Sequence, residues 1–180
     1  MNKLLRYELI GIVFTIVLGI ILHFTYEWSG NNPLVGILSA VNESTWEHLK
    51  LLFFPYVIYS IFEYFYLSPC LKHRNGCKYE NFITAKVIGL ICGIVFIPTI
   101  FYLYVEIIGN HNVIIDILIF IFAVIIAYAI SYDLLKEEKI NANIICFMIF
   151  LIMLTCFVLF TFNPPQGKLF IDPVTNTYGI

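Results

Sequence analysis

Hydrophobic positions in this chain run in long blocks, with neither strand-like alternation nor a one-sided helical stripe. Leu9–Tyr26 is uncharged, with His23 as its strongly polar group, and Leu49–Leu67 is apolar apart from Lys50 and Glu63. Val87–Val105 is uncharged, Asn112–Tyr132 is broken only by Asp116, and Ile140–Gly167 is the longest uncharged stretch. A helix needs about 20 mainly apolar residues to cross the hydrocarbon core of a bilayer. The pattern therefore predicts an all-α integral membrane bundle of five transmembrane helices, at 9–26, 47–67, 85–106, 112–133 and 142–162, followed by a tail at 163–180. The five spans leave no length for a separate soluble domain, so residues 1–180 read as a single membrane domain.

Composition strengthens that reading. Of 180 residues, 61% are apolar and only 12% charged, with a mean hydropathy of +0.90, whereas soluble domains carry about 25% charged residues. A net charge of −2 gives no reason to expect nucleic acid as a partner; the partner is the lipid bilayer. The positions of the cations set the orientation. With the N-terminus in the cytoplasm, the inner segments hold Lys3, Arg6, Lys72, Arg74, Lys78, Lys86, Lys136 and Lys139, and the outer ones only Lys50 and Lys168. This is the positive-inside pattern, and it puts the C-terminus outside the cell membrane. The first span exceeds a signal-peptide core, and bulky Tyr26 and Trp28 follow it, so it is expected to remain in the mature protein.

The outer side then collects most of the candidate chemistry. His23 and Glu27 lie four apart, on one face of the first helix. Glu43, Glu47 and His48 come at the mouth of the second span, and a connection of about twenty residues makes the two span ends neighbours. Ser44-x-x-Glu47 has the form of a capping box, with the Ser44 hydroxyl and the Glu47 carboxylate each serving the other's amide. Trp46 would anchor the helix at the headgroups, and Lys50 would pair with Glu47 or extend outward. Imidazole plus carboxylate at a wet boundary is also a ligand set for zinc or a similar divalent ion. His23, Glu27, Glu43 and His48 are the candidate metal ligands, Glu47 the general base acting on bound water, and Asn42 and Trp46 the candidate substrate contacts. The spacing matches no established zinc signature, and His-Glu-x-x-His is absent. His111 and Asp116 read as an interfacial pair.

Towards the inner side, Glu63 is a costly intramembrane carboxylate for which a tyrosine hydroxyl or Arg74 is the expected partner. If it faced a cavity it would point to proton-coupled transport. Glu8 is expected beside Arg6, and Asp133 beside Lys136, as ordinary interfacial pairs. Cys70, His73 and Cys77 lack the paired spacing of a zinc site, and Gly89-x-x-x-Gly93 reads as close helix packing. In the tail, Pro164 and Pro165 end the fifth helix. Leu169, Phe170, Ile171, Val174 and Tyr178 are too apolar for a disordered end, so the tail is expected to fold back over the outer mouth.

Three blocks carry a family resemblance: Gly30-Asn31-Asn32-Pro33-Leu34-Val35-Gly36; Asn42-Glu43-Ser44-x-Trp46-Glu47-His48-Leu49-Lys50-Leu51; and Asn163-Pro164-Pro165 with Asp172-Pro173-x-Thr175-x-Thr177-Tyr178-Gly179. Together the chain resembles a family of small integral membrane proteins of low-GC Gram-positive bacteria, catalogued as a domain of unknown function. The resemblance implies a multi-pass bacterial membrane protein and carries over no catalytic residue. Three functions compete on the sequence. One is a metal-dependent hydrolase acting on an amide or ester at the membrane surface. A second is a small transporter or permease component, which would need a homo-oligomer because five spans are few and no inverted repeat is visible. The third is a non-catalytic accessory or assembly protein.

Overall fold

The computed structural model describes residues 2–71, 79–137 and 140–180, without the side chains of 68–71. The Cys70, His73 and Cys77 side chains, the cations Lys72, Arg74, Lys78 and Lys139, and the expected Arg74–Glu63 contact lie outside the described residues. The chain forms helices α1 (Lys3–Trp28), α2 (Pro33–Gly36), α3 (Thr45–Leu71), α4 (Phe82–Ile108), α5 (Val113–Glu137) and α6 (Asn143–Phe162). Among the described residues the β structure is a single antiparallel bridge, Ile171 to Tyr178, in the tail.

Each long helix starts and stops where local chemistry directs it. The Asn2 side chain accepts from the Leu5 amide at 2.7 Å and caps α1. Asn112 caps α5 through the Ile114 amide at 2.9 Å. The α4 N-terminus is capped from a neighbouring helix: Asn143 Oδ1 accepts from the Thr84 amide at 3.0 Å and its hydroxyl at 2.9 Å, which ties the starts of α4 and α6 together. At the far end of α4, Gly109 takes the left-handed conformation (φ 85°) and returns its amide to Val105 O at 2.8 Å, a terminus open to glycine at no steric cost.

Four of these helices, α1, α4, α5 and α6, are long and apolar enough to cross a membrane. Their outward faces carry large exposed apolar side chains, among them Val13, Val17, Phe122, Ile144 and Ile152. Apolar surface of that extent would be unstable against water and suits hydrocarbon. The fifth long helix, α3, is the most enclosed: Leu52, Phe53, Tyr56 and Leu67 are at most 1% exposed. Its rings pack on α5 through Tyr56–Tyr128 and on α6 through Phe53–Phe157, so α3 forms the spine of the bundle.

The α4–α5 contact depends on the absence of side chains. A Cβ on Gly89 would sit 2.3 Å from Ala127 O, and one on Gly93 2.9 Å from Ala123 O. The two backbones meet directly, as small residues permit in membrane bundles.

The ionisable residues Glu8, Glu63 and Lys86 turn inward. Glu8, expected beside Arg6, instead reaches Lys86 on α4 at 2.9 and 3.0 Å, and Glu63 pairs with the same ammonium. Burial explains the change of partner: a carboxylate facing the bundle interior can be compensated only by a cation that is also inside. Cys92, Cys146 and Cys156 are free thiols.

Candidate functional site

At the end of the bundle formed by the α1 C-terminus and the α3 N-terminus, the connection 29–44 folds back on α1. Ser39 drives this. Its hydroxyl donates to Leu22 O at 2.5 Å and accepts from the Tyr26 amide at 3.1 Å. Asn32 caps the short α2, whose Pro33 opens the helix without needing an amide partner. Asn42 Oδ1 then accepts from the Ser44 amide at 2.9 Å, and the Ser44 hydroxyl accepts from the Glu47 amide at 3.3 Å. This is half of the expected capping box. The return contact differs, because Glu47 Oε2 accepts from the Val41 amide at 3.1 Å rather than from Ser44.

This path brings His23, Glu43 and His48 together. One ligand atom from each lies within 4.8 Å of the others. His48 Nε2 is 3.3 Å from His23 Nε2 and 3.4 Å from Glu43 Oε2; His23 Nε2 to Glu43 Oε2 is 4.0 Å. His48 Nδ1 lies 2.9 Å from Ser44 O. A carbonyl can only accept, so Nδ1 carries a proton; Nε2 faces the other two groups, donating to Glu43 when the ring is protonated and open to an ion when it is neutral. Two imidazole nitrogens and a carboxylate oxygen therefore converge, an arrangement that either a proton on one of the facing nitrogens or a metal ion among the three satisfies. A tetrahedral ion with legs of about 2.0–2.1 Å separates its donors by about 3.3–3.4 Å; two of the three edges match and the third is wider. A ligand imidazole whose second nitrogen donates to a carbonyl is the usual outer support of a metal site. The imidazoles are each 31% exposed and the Glu43 side chain 50%, so the group of three is open on one side.

The hydrogen bond to His48, helped by the charges of His48 and His23, holds the Glu43 carboxyl below its ordinary 4.5 against partial burial. A depressed carboxylate contributes stability that is present above 4.5 and is lost as pH falls through the lowered value. The metal-free protein is therefore expected to be more stable than Glu43→Gln at pH 6, with the difference closing on acidification below pH 4.5, as thermal unfolding of the two in detergent would show. A gap that persisted in full at acid pH would contradict the ionic contact.

The other sequence-predicted residues are placed differently. Glu27 is exposed on the last turn of α1 and is not part of the group of three. Glu47 is 1% exposed and forms an ion pair with Lys50, so its carboxylate is committed to the protein interior. Lys50 also donates to Gly36 O at 2.7 Å and to the Thr161 hydroxyl at 3.0 Å, joining α3, α2 and α6. Neither Gly36 nor Thr161 had a signal in the sequence beyond being small and polar near a span end. Asn42 and Trp46, the candidate substrate contacts, hold the tail. Asn42 Nδ2 donates to Gly179 O at 3.1 Å and the Trp46 amide to Leu169 O at 2.9 Å. The Trp46 ring lies 4.7, 5.4 and 5.0 Å from those of Phe157, Phe160 and Phe170. The tail thus folds back onto this end of the bundle, as its apolar residues predict. His111 and Asp116 stand apart, 3.4 Å from each other, with the Tyr104 hydroxyl donating to Asp116.

No curated protein and no solved structure matches the chain. Over residues 1–180 it matches the model of a family of unknown function (DUF6512), and it belongs to that family.

Proposed function

We propose that this protein is a five-span component of a bacterial cytoplasmic membrane whose outer face carries a divalent-metal centre held by His23, Glu43 and His48. The observation that carries the reading is the convergence of two imidazole nitrogens and a carboxylate oxygen within 4.8 Å at one end of an apolar bundle. Counting α3 as a span is supported by its 27 residues, a length of about 40 Å at 1.5 Å per residue. Glu47, Lys50 and Glu63 on it are all buried and present no charge to lipid. The excess of Lys and Arg in the segments on the N-terminal side supports a cytoplasmic N-terminus and an external tail. A reporter fused after Ile180 is expected to behave as external; a cytosolic signal would overturn the sidedness.

Three protein ligands and an open side are the form of a catalytic rather than a structural zinc site. A divalent ion there would supply a nucleophilic hydroxide near neutral pH, suited to hydrolysis of an ester or amide at headgroup depth. The protein's own part is to fix the ligands: Ser44 O orients His48, Ser39 holds the loop against α1, and the Glu47–Lys50 pair fastens the start of α3. Zinc and cobalt(II) titrations of purified protein in nanodiscs test the centre. One equivalent is expected to bind, with cobalt showing the visible bands of tetrahedral coordination. His48→Ala is expected to weaken binding by 100-fold or more, on the order of losing one ligand, while Glu27→Ala leaves it unchanged. Absence of binding at micromolar metal, or equal binding by His48→Ala, would overturn the proposal.

A further inference from the structure

Far from the metal centre and independent of it, Glu8 of α1, Glu63 of α3 and Lys86 of α4 are buried together, at most 4% exposed. We propose that these three residues form a proton-binding site inside the bundle, in which two carboxylates share one ammonium and the remaining negative charge is neutralised by an exchangeable proton on Glu63.

The donors show where the proton belongs. Lys86 Nζ donates to Glu8 Oε1 at 2.9 Å and to Oε2 at 3.0 Å, and Ser131 of α5 adds a third hydrogen bond to Oε1 at 3.1 Å. Both oxygens of Glu8 are thus supplied with hydrogen-bond donors. Among the described residues Glu63 has only the ion-pair contact of Oε2 with Lys86, at 2.5 Å and outside hydrogen-bond alignment. Its Oε1 is buried without a hydrogen-bond partner among the described residues, and so is the Tyr56 hydroxyl. Among the described residues, two carboxylates and one ammonium sum to −1. An uncompensated charge at a buried position is a costly arrangement, and one proton removes that charge.

The surrounding groups among the described residues do not supply it. Tyr59 of α3 donates to Tyr7 O of α1 at 2.6 Å, and the Tyr128 hydroxyl of α5 is 2.8 Å from that of Thr15 on α1. The rings of Tyr56, Phe82 and Tyr128 enclose the ammonium at 5.7, 5.6 and 5.2 Å. They favour Lys86 as a cation but bring no further positive charge to the site. A cavity of about 280 Å³, lined by Tyr56, Ser60, Tyr64, Phe82, Lys86 and Phe147, flanks the site and gives an apolar reagent a route to it.

Infrared spectroscopy and carbodiimide labelling of the full chain in nanodiscs test this. At pH 6 the wild type is expected to show the C=O stretch of one protonated buried carboxyl, shifted in D₂O and absent from Glu63→Gln. Dicyclohexylcarbodiimide reacts with a protonated carboxyl: the acid proton moves to a carbodiimide nitrogen, the carboxyl oxygen bonds to the central carbon, and acyl transfer to nitrogen leaves a stable N-acylurea. Label is expected at Glu63, falling as pH rises and indifferent to sodium. Glu63→Gln, a mimic of the protonated acid, is expected to keep the wild-type melting temperature, whereas Glu8→Gln lowers it. Absence of the infrared band, label at Glu8 alone, loss of the band on adding sodium, or equal destabilisation by the two substitutions would each overturn the proposal.

Discussion

Lys86→Met is expected to destabilise the bundle more than any other single substitution at a polar position within it. The variant keeps the stem volume of lysine but removes the cation from between Glu8 and Glu63, leaving the Glu8 carboxylate buried without its counter-charge beside a second acid. Breaking a buried ion pair from one side costs about 3–5 kcal/mol, because the partner is left as an uncompensated charge. The aromatic box around Nζ, with Tyr128 at 5.2 Å, then encloses nothing positive. Two accompanying results separate this from a packing defect. Acidification should partly restore Lys86→Met, since protonation neutralises the stranded carboxylate, and the triple variant Glu8→Gln, Glu63→Gln, Lys86→Met should recover much of the loss. Thermal unfolding in nanodiscs at pH 5 and pH 8 reads all three. A Lys86→Met protein of wild-type stability at pH 8 would show that the charges are not coupled.

The second large effect is expected at Lys50→Met. Lys50 is fully buried, and its ammonium serves Glu47, Gly36 O and the Thr161 hydroxyl together. Its loss strands the Glu47 carboxylate and leaves a carbonyl and a hydroxyl without their donor, again about 3–5 kcal/mol by the same physics. The consequence is local as well. Glu47 Oε2 accepts from the Val41 amide, two residues before Glu43, so loosening Glu47 releases the loop that carries a proposed metal ligand. Lys50→Met should therefore lower the melting temperature, expose the 29–44 connection to protease and weaken zinc binding, though Lys50 itself touches none of the three donors. Glu47→Gln combined with Lys50→Met, which removes both charges, should be milder than Lys50→Met alone. Unchanged protease resistance of the connection would contradict the proposed link from Lys50 to the loop.

The helices were legible because a bilayer-length apolar run is an extreme signal, but their ends were less so. α1 begins at Lys3 rather than near residue 9. Hydropathy marks where hydrocarbon would end, whereas Lys3, Arg6 and Glu8 continue the helix readily. The four-residue α2 was missed because Asn32 and Pro33 read equally well as a turn. At the site, chain order alone indicated that residues 23 and 43–48 meet. It did not show that Ser39 would fasten the loop at the level of Leu22 and Tyr26, which brings Glu43 to His23 and leaves Glu27 on an exposed turn. The pairing of Lys50 with Glu47, three residues apart on one helix face, is legible in the sequence; that the pair is fully buried is not, because it depends on α2 and α6 closing over it. Lys86 gave no warning at all. A lysine at the start of an apolar run looks like an interfacial cation, and only the packing of α4 against α1 and α3 turns it towards partners such as Glu8, 78 residues away.

X-ray absorption at the zinc edge, on protein loaded with one equivalent and washed in nanodiscs, tests the metal centre most directly. A shell of two imidazole nitrogens and oxygen ligands at about 2.0–2.2 Å, losing one imidazole in His48→Ala, is the expected result. Sulfur in the shell, imidazole scattering unchanged in His48→Ala, or no zinc retained after washing would contradict a centre built from His23, Glu43 and His48.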